Sequence, residues 1–82
     1  MSEQEINIEI SNYKSPLKIL RLPAVEDRTG LRRSTIYLKI SQGKFPKPIS
    51  LGGYRSVGWI EEEITSWIEQ CIQSSRMNRG DK

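Results

Sequence analysis

The chain has 82 residues, which suffices for one small domain and is too short for two. Its formal net charge is +3, and it contains one cysteine and no histidine. Cys71 therefore has no partner for an internal disulfide, and we expect no metal site and no cofactor. No apolar run approaches the about 20 residues that span a bilayer, and residues 1–5 are unlike a signal peptide, so we expect a cytoplasmic protein without a membrane segment.

Positive charge is concentrated in the middle of the chain. Residues 19–60 carry eight basic and two acidic side chains, a local excess of +6, whereas the two ends are neutral or acidic. This distribution is typical of a module that presents one face to a polyanion. Charge alone fits a solvated surface rich in Lys and Arg equally well.

Residues 1–18 form an N-terminal arm before the expected domain. Ile6, Ile8 and Ile10 alternate with polar residues, a spacing that predicts one edge strand before a breaker at residues 14–16. A lone strand without a visible partner is also consistent with a flexible arm that pairs with a neighbouring copy.

The compact domain is predicted over residues 19–76, and two short helices open it. Pro23 suits the first turn of a helix over Ala24–Thr29, and Gly30 is placed to close that helix in the left-handed conformation. A second helix is predicted to begin near Arg33 and to end at Gly43. Two short helices joined by so tight a connection indicate a helix-turn-helix.

The second helix has a buried side that Ile36 and Ile40 mark, because they are four residues apart. Ser34, Tyr37 and Lys39 point away from this stripe to varying degrees. The helix therefore offers hydroxyls, an aromatic ring and a cation to a partner, although Tyr37 covering the edge of the core is an alternative.

A β-hairpin is predicted next, with Ile49 and Leu51 before a Gly-Gly turn and residues 54–59 after it. A two-residue turn would pair Ile49 with Ser56, whereas a three-residue loop would pair Ile49 with Val57. The longer loop keeps both apolar side chains on one face, so we predict that Ile49 lies opposite Val57.

The final helix, predicted from about Ile60 to Ser75, has the strongest periodicity in the chain. Its apolar residues recur at helical spacing and predict a buried stripe: Ile60, Ile64, Trp67, Ile68, Cys71 and Ile72. Trp59 is expected in the core as well. Residues 77–82 are predicted to fray. A helix-turn-helix, a hairpin and a C-terminal helix together predict a small α+β fold.

Seven short motifs occur in a fixed order within a region from residue 20 to about residue 75, which matches a known pattern without insertions or deletions. They are Arg21-Leu22-Pro23, Thr29-Gly30-Leu31, Arg33-Ser34-Thr35-Ile36-Tyr37, Gly43-Lys44-Phe45-Pro46-Lys47-Pro48, Leu51-Gly52-Gly53, Val57-Gly58-Trp59 and Trp67-Ile68. In this order they resemble the AlpA family of prophage transcriptional regulators. The resemblance implies a bacterial, nucleoid-associated protein with a winged helix-turn-helix fold, similar to MerR-type and excisionase folds.

The resemblance also implies which side chains would meet DNA. Residues 33–42 would be the recognition helix in the major groove, and the hairpin at residues 49–58 would be a wing on the backbone. Four side chains would read bases: Arg33, Ser34, Thr35 and Tyr37. Five cations would contact phosphates: Arg32, Lys39, Lys44, Lys47 and Arg55. Two positions depart from the family pattern, because Arg32 replaces a small capping residue and Leu38 replaces a usual Arg.

The expected function is that of a transcriptional regulator that binds specific sequences in double-stranded DNA. The alternative is an excisionase, a recombination directionality factor that bends DNA for prophage excision. The corresponding partners would be RNA polymerase or an integrase, and a homodimer or a cooperative array on DNA is expected. A protein-binding module predicts little loss of DNA binding when Arg33 and Arg55 are neutralised. No constellation of acid, base or nucleophile is visible, so we expect no enzyme and no catalytic residue.

Overall fold

The computed structural model describes the backbone of residues 16–79 and the side chains of residues 16–77. The elements in chain order are β1 (Ile19–Leu20), α1 (Leu22–Thr29), α2 (Arg33–Ser41), β2 (Ile49–Ser50), β3 (Val57–Ile60) and α3 (Glu61–Arg79). Three helices and one three-stranded antiparallel sheet confirm the predicted α+β fold and are compatible with a winged helix-turn-helix. The strand predicted around Ile6, Ile8 and Ile10 lies outside the described residues.

The central strand of the sheet is β3, which pairs with β1 on one side and with β2 on the other. Leu20 lies opposite Trp59, and both side chains are buried on the inner face of the sheet. The pairing of β1 was not predicted, because two residues are too few to show a period of their own. A hydrogen bond from the Glu61 N–H to the Lys18 carbonyl, 2.8 Å long, continues the β1–β3 pairing into the start of α3.

The predicted hairpin register is wrong by one residue, because Ile49 lies opposite Gly58 and not opposite Val57. The Leu51 N–H donates to the Ser56 carbonyl at 2.7 Å, which leaves a four-residue loop at residues 52–55. The prediction assumed that Ile49 shares a face with Val57. In the structure Ile49 lies on the outer face of the sheet, on the opposite side from Trp59, so the matching of apolar side chains did not determine the register.

The predicted helix-turn-helix is confirmed in its elements. Gly30 ends α1 in the left-handed conformation (φ 74°), and its N–H donates to the Glu26 carbonyl at 2.8 Å. The second helix ends at Ser41, two residues before Gly43. Its N-cap residue is Arg32, whose side chain makes no capping hydrogen bond.

One small core joins the described elements except β2, whose two residues are exposed. Its buried members are Leu20, Val25, Ile36, Phe45, Trp59 and Ile64. Trp59 is fully buried, as predicted, and its indole Nε1 donates a hydrogen bond of 3.0 Å to the Pro46 carbonyl. The core therefore also anchors the loop between α2 and β2.

The final helix is longer and less buried than predicted. It continues to Arg79, past the predicted end at Ser75, and includes residues 77–79 of the predicted frayed tail. Only Ile64 is fully buried on its apolar face, whereas Ile72 is 43% exposed and Cys71 is exposed, so the prediction of a buried cysteine is wrong. A helix of 19 residues is about 28 Å long, which is more than this small core can cover. No helix within the described residues is long and apolar enough to cross a membrane.

Candidate nucleic-acid interface

The outward face of α2 is determined by the burial of Ile36, which is completely enclosed against the core. At about 100° per residue, the positions opposite Ile36 are Ser34, Leu38 and Ser41. All three are exposed. The helix therefore presents a strip of small polar and apolar side chains on the side away from the core.

The first turn of α2 carries three of the four residues that we expect to read bases. Arg33 and Ser34 are exposed, and Thr35 is half-buried. Because Arg32 provides no side-chain cap, the first backbone N–H groups of α2 have no capping partner from that residue. An anion such as a phosphate is a suitable acceptor for them.

Tyr37 packs against the edge of the core and is also accessible to solvent. Its ring meets Trp59 edge-on, with ring centroids 6.2 Å apart and an interplanar angle of 64°. The side chain nevertheless remains partly exposed beside the outward face of α2. Its contact with the core holds the ring in place, and its exposed part is available to a partner.

The loop between α2 and β2 carries two of the five predicted phosphate contacts, Lys44 and Lys47, and both are exposed. Phe45 between them is buried and packs edge-on against Trp67, with ring centroids 4.8 Å apart. The Trp67 indole Nε1 donates to the Lys44 carbonyl at 2.8 Å. Together with the hydrogen bond from Trp59 to the Pro46 carbonyl, this bond fixes the loop at two points. The two cations therefore extend from an ordered backbone.

The tip of the hairpin carries Arg55, which adopts a left-handed backbone conformation (φ 58°) and is exposed. Its guanidinium carbon lies 5.3 Å from the ring centroid of Tyr54, within cation–π distance. Tyr54 is 90% exposed, the largest exposure of any large hydrophobic side chain described. Tyr54 was not among the predicted contact residues, although an aromatic residue next to Arg in a Gly-rich turn is a signal visible in the sequence.

The remaining predicted phosphate contacts differ in accessibility. Arg32 is exposed at the N-terminus of α2, whereas Lys39 is half-buried. Other basic residues have structural partners: the Arg28 Nη2 atom donates to Thr65 Oγ1 at 3.1 Å, and Arg28 and Lys18 each lie within 4.0 Å of the Glu61 carboxylate. These two cations link α3 to the rest of the domain, and the cations at the candidate interface are a different set.

Leu38 is a candidate contact residue that the sequence analysis noted only as a departure from the family pattern. It is 56% exposed at the centre of the outward face of α2, directly opposite Ile36. Helical spacing from Ile36 and Ile40 already places it there. At this position the outward face of α2 presents an apolar side chain, where the family pattern has an Arg.

The chain is similar to known proteins over most of its length. Residues 18–72 match the family model described as prophage CP4-57 regulatory protein (AlpA). The DNA-binding transcriptional activator AlpA of Escherichia coli (strain K12) is 46% identical over 65 residues, covering 72% of this chain and 91% of that protein. The uncharacterized protein ORF88 of Enterobacteria phage P4 is 47% identical over 51 residues, covering 62% of this chain and 57% of that protein. No solved structure shows significant similarity to the chain.

Proposed function

This chain belongs to the AlpA family of prophage regulatory proteins, and we propose that it is a transcriptional regulator that binds specific sequences in double-stranded DNA. The observation that carries the proposal is the outward face of α2, which is exposed along its length while Ile36 holds its opposite side in the core. A relative named as a DNA-binding transcriptional activator supports activation as the regulatory outcome.

In this proposal α2 enters the major groove, whose width of about 12 Å admits one helix. Arg33 at the start of the helix donates two hydrogen bonds to the O6 and N7 atoms of a guanine. Ser34 and Thr35 donate from their hydroxyl groups to a neighbouring base or phosphate, and Tyr37 contacts the edge of the groove. These four side chains supply the sequence preference.

The phosphate contacts orient the helix without reading sequence. Arg32 and Lys44 flank α2 at its two ends, and Lys47 follows in the anchored loop. Arg55 reaches the backbone from the tip of the hairpin, with the exposed ring of Tyr54 beside it. Lys39 completes the set with the terminal amine of its half-buried side chain.

The experiment that tests the proposal compares binding to the duplex upstream of the chain's own coding sequence with binding to a scrambled duplex. We expect the Arg33→Ala variant to lose about 5- to 150-fold in affinity for the upstream duplex, the equivalent of 1–3 kcal/mol for a bidentate contact to guanine. Its affinity for the scrambled duplex should fall much less. Arg76→Ala is the matched control, because it removes the same charge from an exposed position far along α3. Equal losses on the two duplexes would assign Arg33 to the backbone, and no binding to either duplex at low salt would refute the proposed function.

A second prediction concerns Leu38, for which we propose contact with the 5-methyl group of a thymine. Replacing thymines by uracils in the upstream duplex removes these methyl groups and leaves the hydrogen-bonding edges unchanged. We expect a loss of about three- to fourfold in affinity, on the basis of about 0.8 kcal/mol for one buried methyl or methylene group. The Leu38→Ala variant should bind both duplexes equally, whereas Ser41→Ala on the same face should retain the preference for thymine. If Leu38→Ala keeps that preference, the assignment is wrong.

A further inference from the structure

The outer face of the sheet is apolar, and the described core does not cover it. Ile19, Ile49 and Leu51 are each 38% exposed there, and the half-buried Ile60 lies opposite Ile19 in the register of β1 and β3. The centre of the face is Gly58, which is opposite Ile49. A Cβ atom on Gly58 would collide with the Ile19 Cγ2 methyl and would lie 3.3 Å from the Leu51 Cδ1 methyl. The side chains of Ile19 and Leu51 therefore lie over Gly58, so that the apolar face continues across β3.

This surface is too small to hold two copies of the chain together by itself. A stable protein interface buries about 800 Å² on each partner. Four aliphatic side chains of which three are 38% exposed offer only a fraction of that area. A segment of the same chain needs far less contact area. Its tether keeps it near the surface at an effective concentration of about millimolar.

We propose that the N-terminal arm of this chain packs across the outer face of the sheet and inserts Ile6, Ile8 and Ile10 against it. In an extended segment these three side chains point to one side, since successive residues alternate between the two sides. Glu5, Asn7 and Glu9 then point to the other side, so that no charge is buried by the contact. Three aliphatic side chains at a spacing of two match a face formed by aliphatic side chains of three neighbouring strands.

The segment that connects Ile10 to β1 is long enough for this contact. The described chain begins at residue 16, three residues before β1, whose Ile19 is itself part of the apolar face. The eight residues from 11 to 18 reach about 26 Å when extended. Crossing from β1 over β3 to β2 requires about 10 Å. The matched family segment starts at residue 18, so Ile6, Ile8 and Ile10 lie outside the part of the chain that the family model matches.

The test is a disulfide between the arm and the sheet, made in the full chain. Cys71 is the single cysteine and is exposed, so Cys71→Ser provides a background without thiols. Ile8→Cys and Ile49→Cys are added to this background. The matched control replaces Ile8→Cys by Asn7→Cys, one residue away and on the opposite side of the extended segment. At micromolar protein and under mild oxidation, we expect the first pair to form an intramolecular disulfide at least about tenfold faster than the control.

Two results would overturn the inference. Equal rates for the two pairs would mean that the isoleucine side of the arm does not face the sheet. Disulfide-linked dimers as the main product would mean that a second copy occupies the face. A measurement without cysteines accompanies the test: methyl resonances of Ile19, Ile49 and Leu51 should shift in the triple variant Ile6→Ser, Ile8→Ser, Ile10→Ser. They should stay in place in the triple variant Glu5→Ser, Asn7→Ser, Glu9→Ser, and equal responses to the two would also contradict the proposal.

Discussion

Binding of this chain to duplex DNA is expected to weaken about 500-fold when the concentration of monovalent salt rises from about 50 to about 200 mM. Each phosphate that a Lys or Arg neutralises releases condensed counterions, and the logarithm of affinity falls with the logarithm of salt at a slope of about −0.9 per contact. The five proposed phosphate contacts predict a slope of about −4.5. Four of their side chains, those of Arg32, Lys44, Lys47 and Arg55, are exposed in the structure.

Single substitutions measure how much each residue contributes to this slope. Lys44→Ala, Lys47→Ala and Arg55→Ala should each reduce its magnitude by about 1 and should weaken binding to upstream and scrambled duplexes alike. Arg76→Ala, on the exposed part of α3, should leave the slope unchanged. A wild-type slope no steeper than about −2, measured by titration across a salt series, would contradict the five-contact interface. If the slope is steep but insensitive to Arg55→Ala, the hairpin does not touch the backbone.

The structure bears out the parts of the sequence analysis that rested on local patterns. Ile36 and Ile40 determined the orientation of α2, and Gly30 ends α1 because a left-handed residue is needed there. Both signals involve residues within one or two turns of each other. The roles of Arg33, Ser34, Thr35 and Tyr37 on DNA stay predictions that the binding experiments decide.

The features that escaped prediction depend on contacts between distant parts of the chain. The register of β2 follows from a four-residue loop and from an outer sheet face that is itself apolar, and alternation alone cannot distinguish that face from the core. Cys71 has the correct helical spacing for burial, but the core ends before it. The hydrogen bonds of Trp59 and Trp67 to the loop before β2 span 13 and 23 residues, which no local pattern records.

Replacement of Trp59 by alanine is expected to have the largest effect on stability of any single change in the domain. Its side chain is fully buried between β1, α2 and the loop that carries Lys44 and Lys47. Trp59→Ala leaves a cavity and removes the hydrogen bond to the Pro46 carbonyl, at a cost of about 3–5 kcal/mol in the free energy of unfolding. The total free energy of unfolding of a small domain is only about 5–15 kcal/mol.

Thermal unfolding followed by circular dichroism should show this as a fall in Tm of roughly 12–40 °C for a domain of this size. Tyr54→Ala is the matched aromatic control, because its side chain is 90% exposed and its loss should change stability by no more than about 0.5 kcal/mol. DNA affinity should be lost with Trp59→Ala even below its Tm, since Trp59 supports both the Tyr37 ring and the anchored loop. A Trp59→Ala variant that melts within a few degrees of wild type would contradict the central role of this side chain in the core.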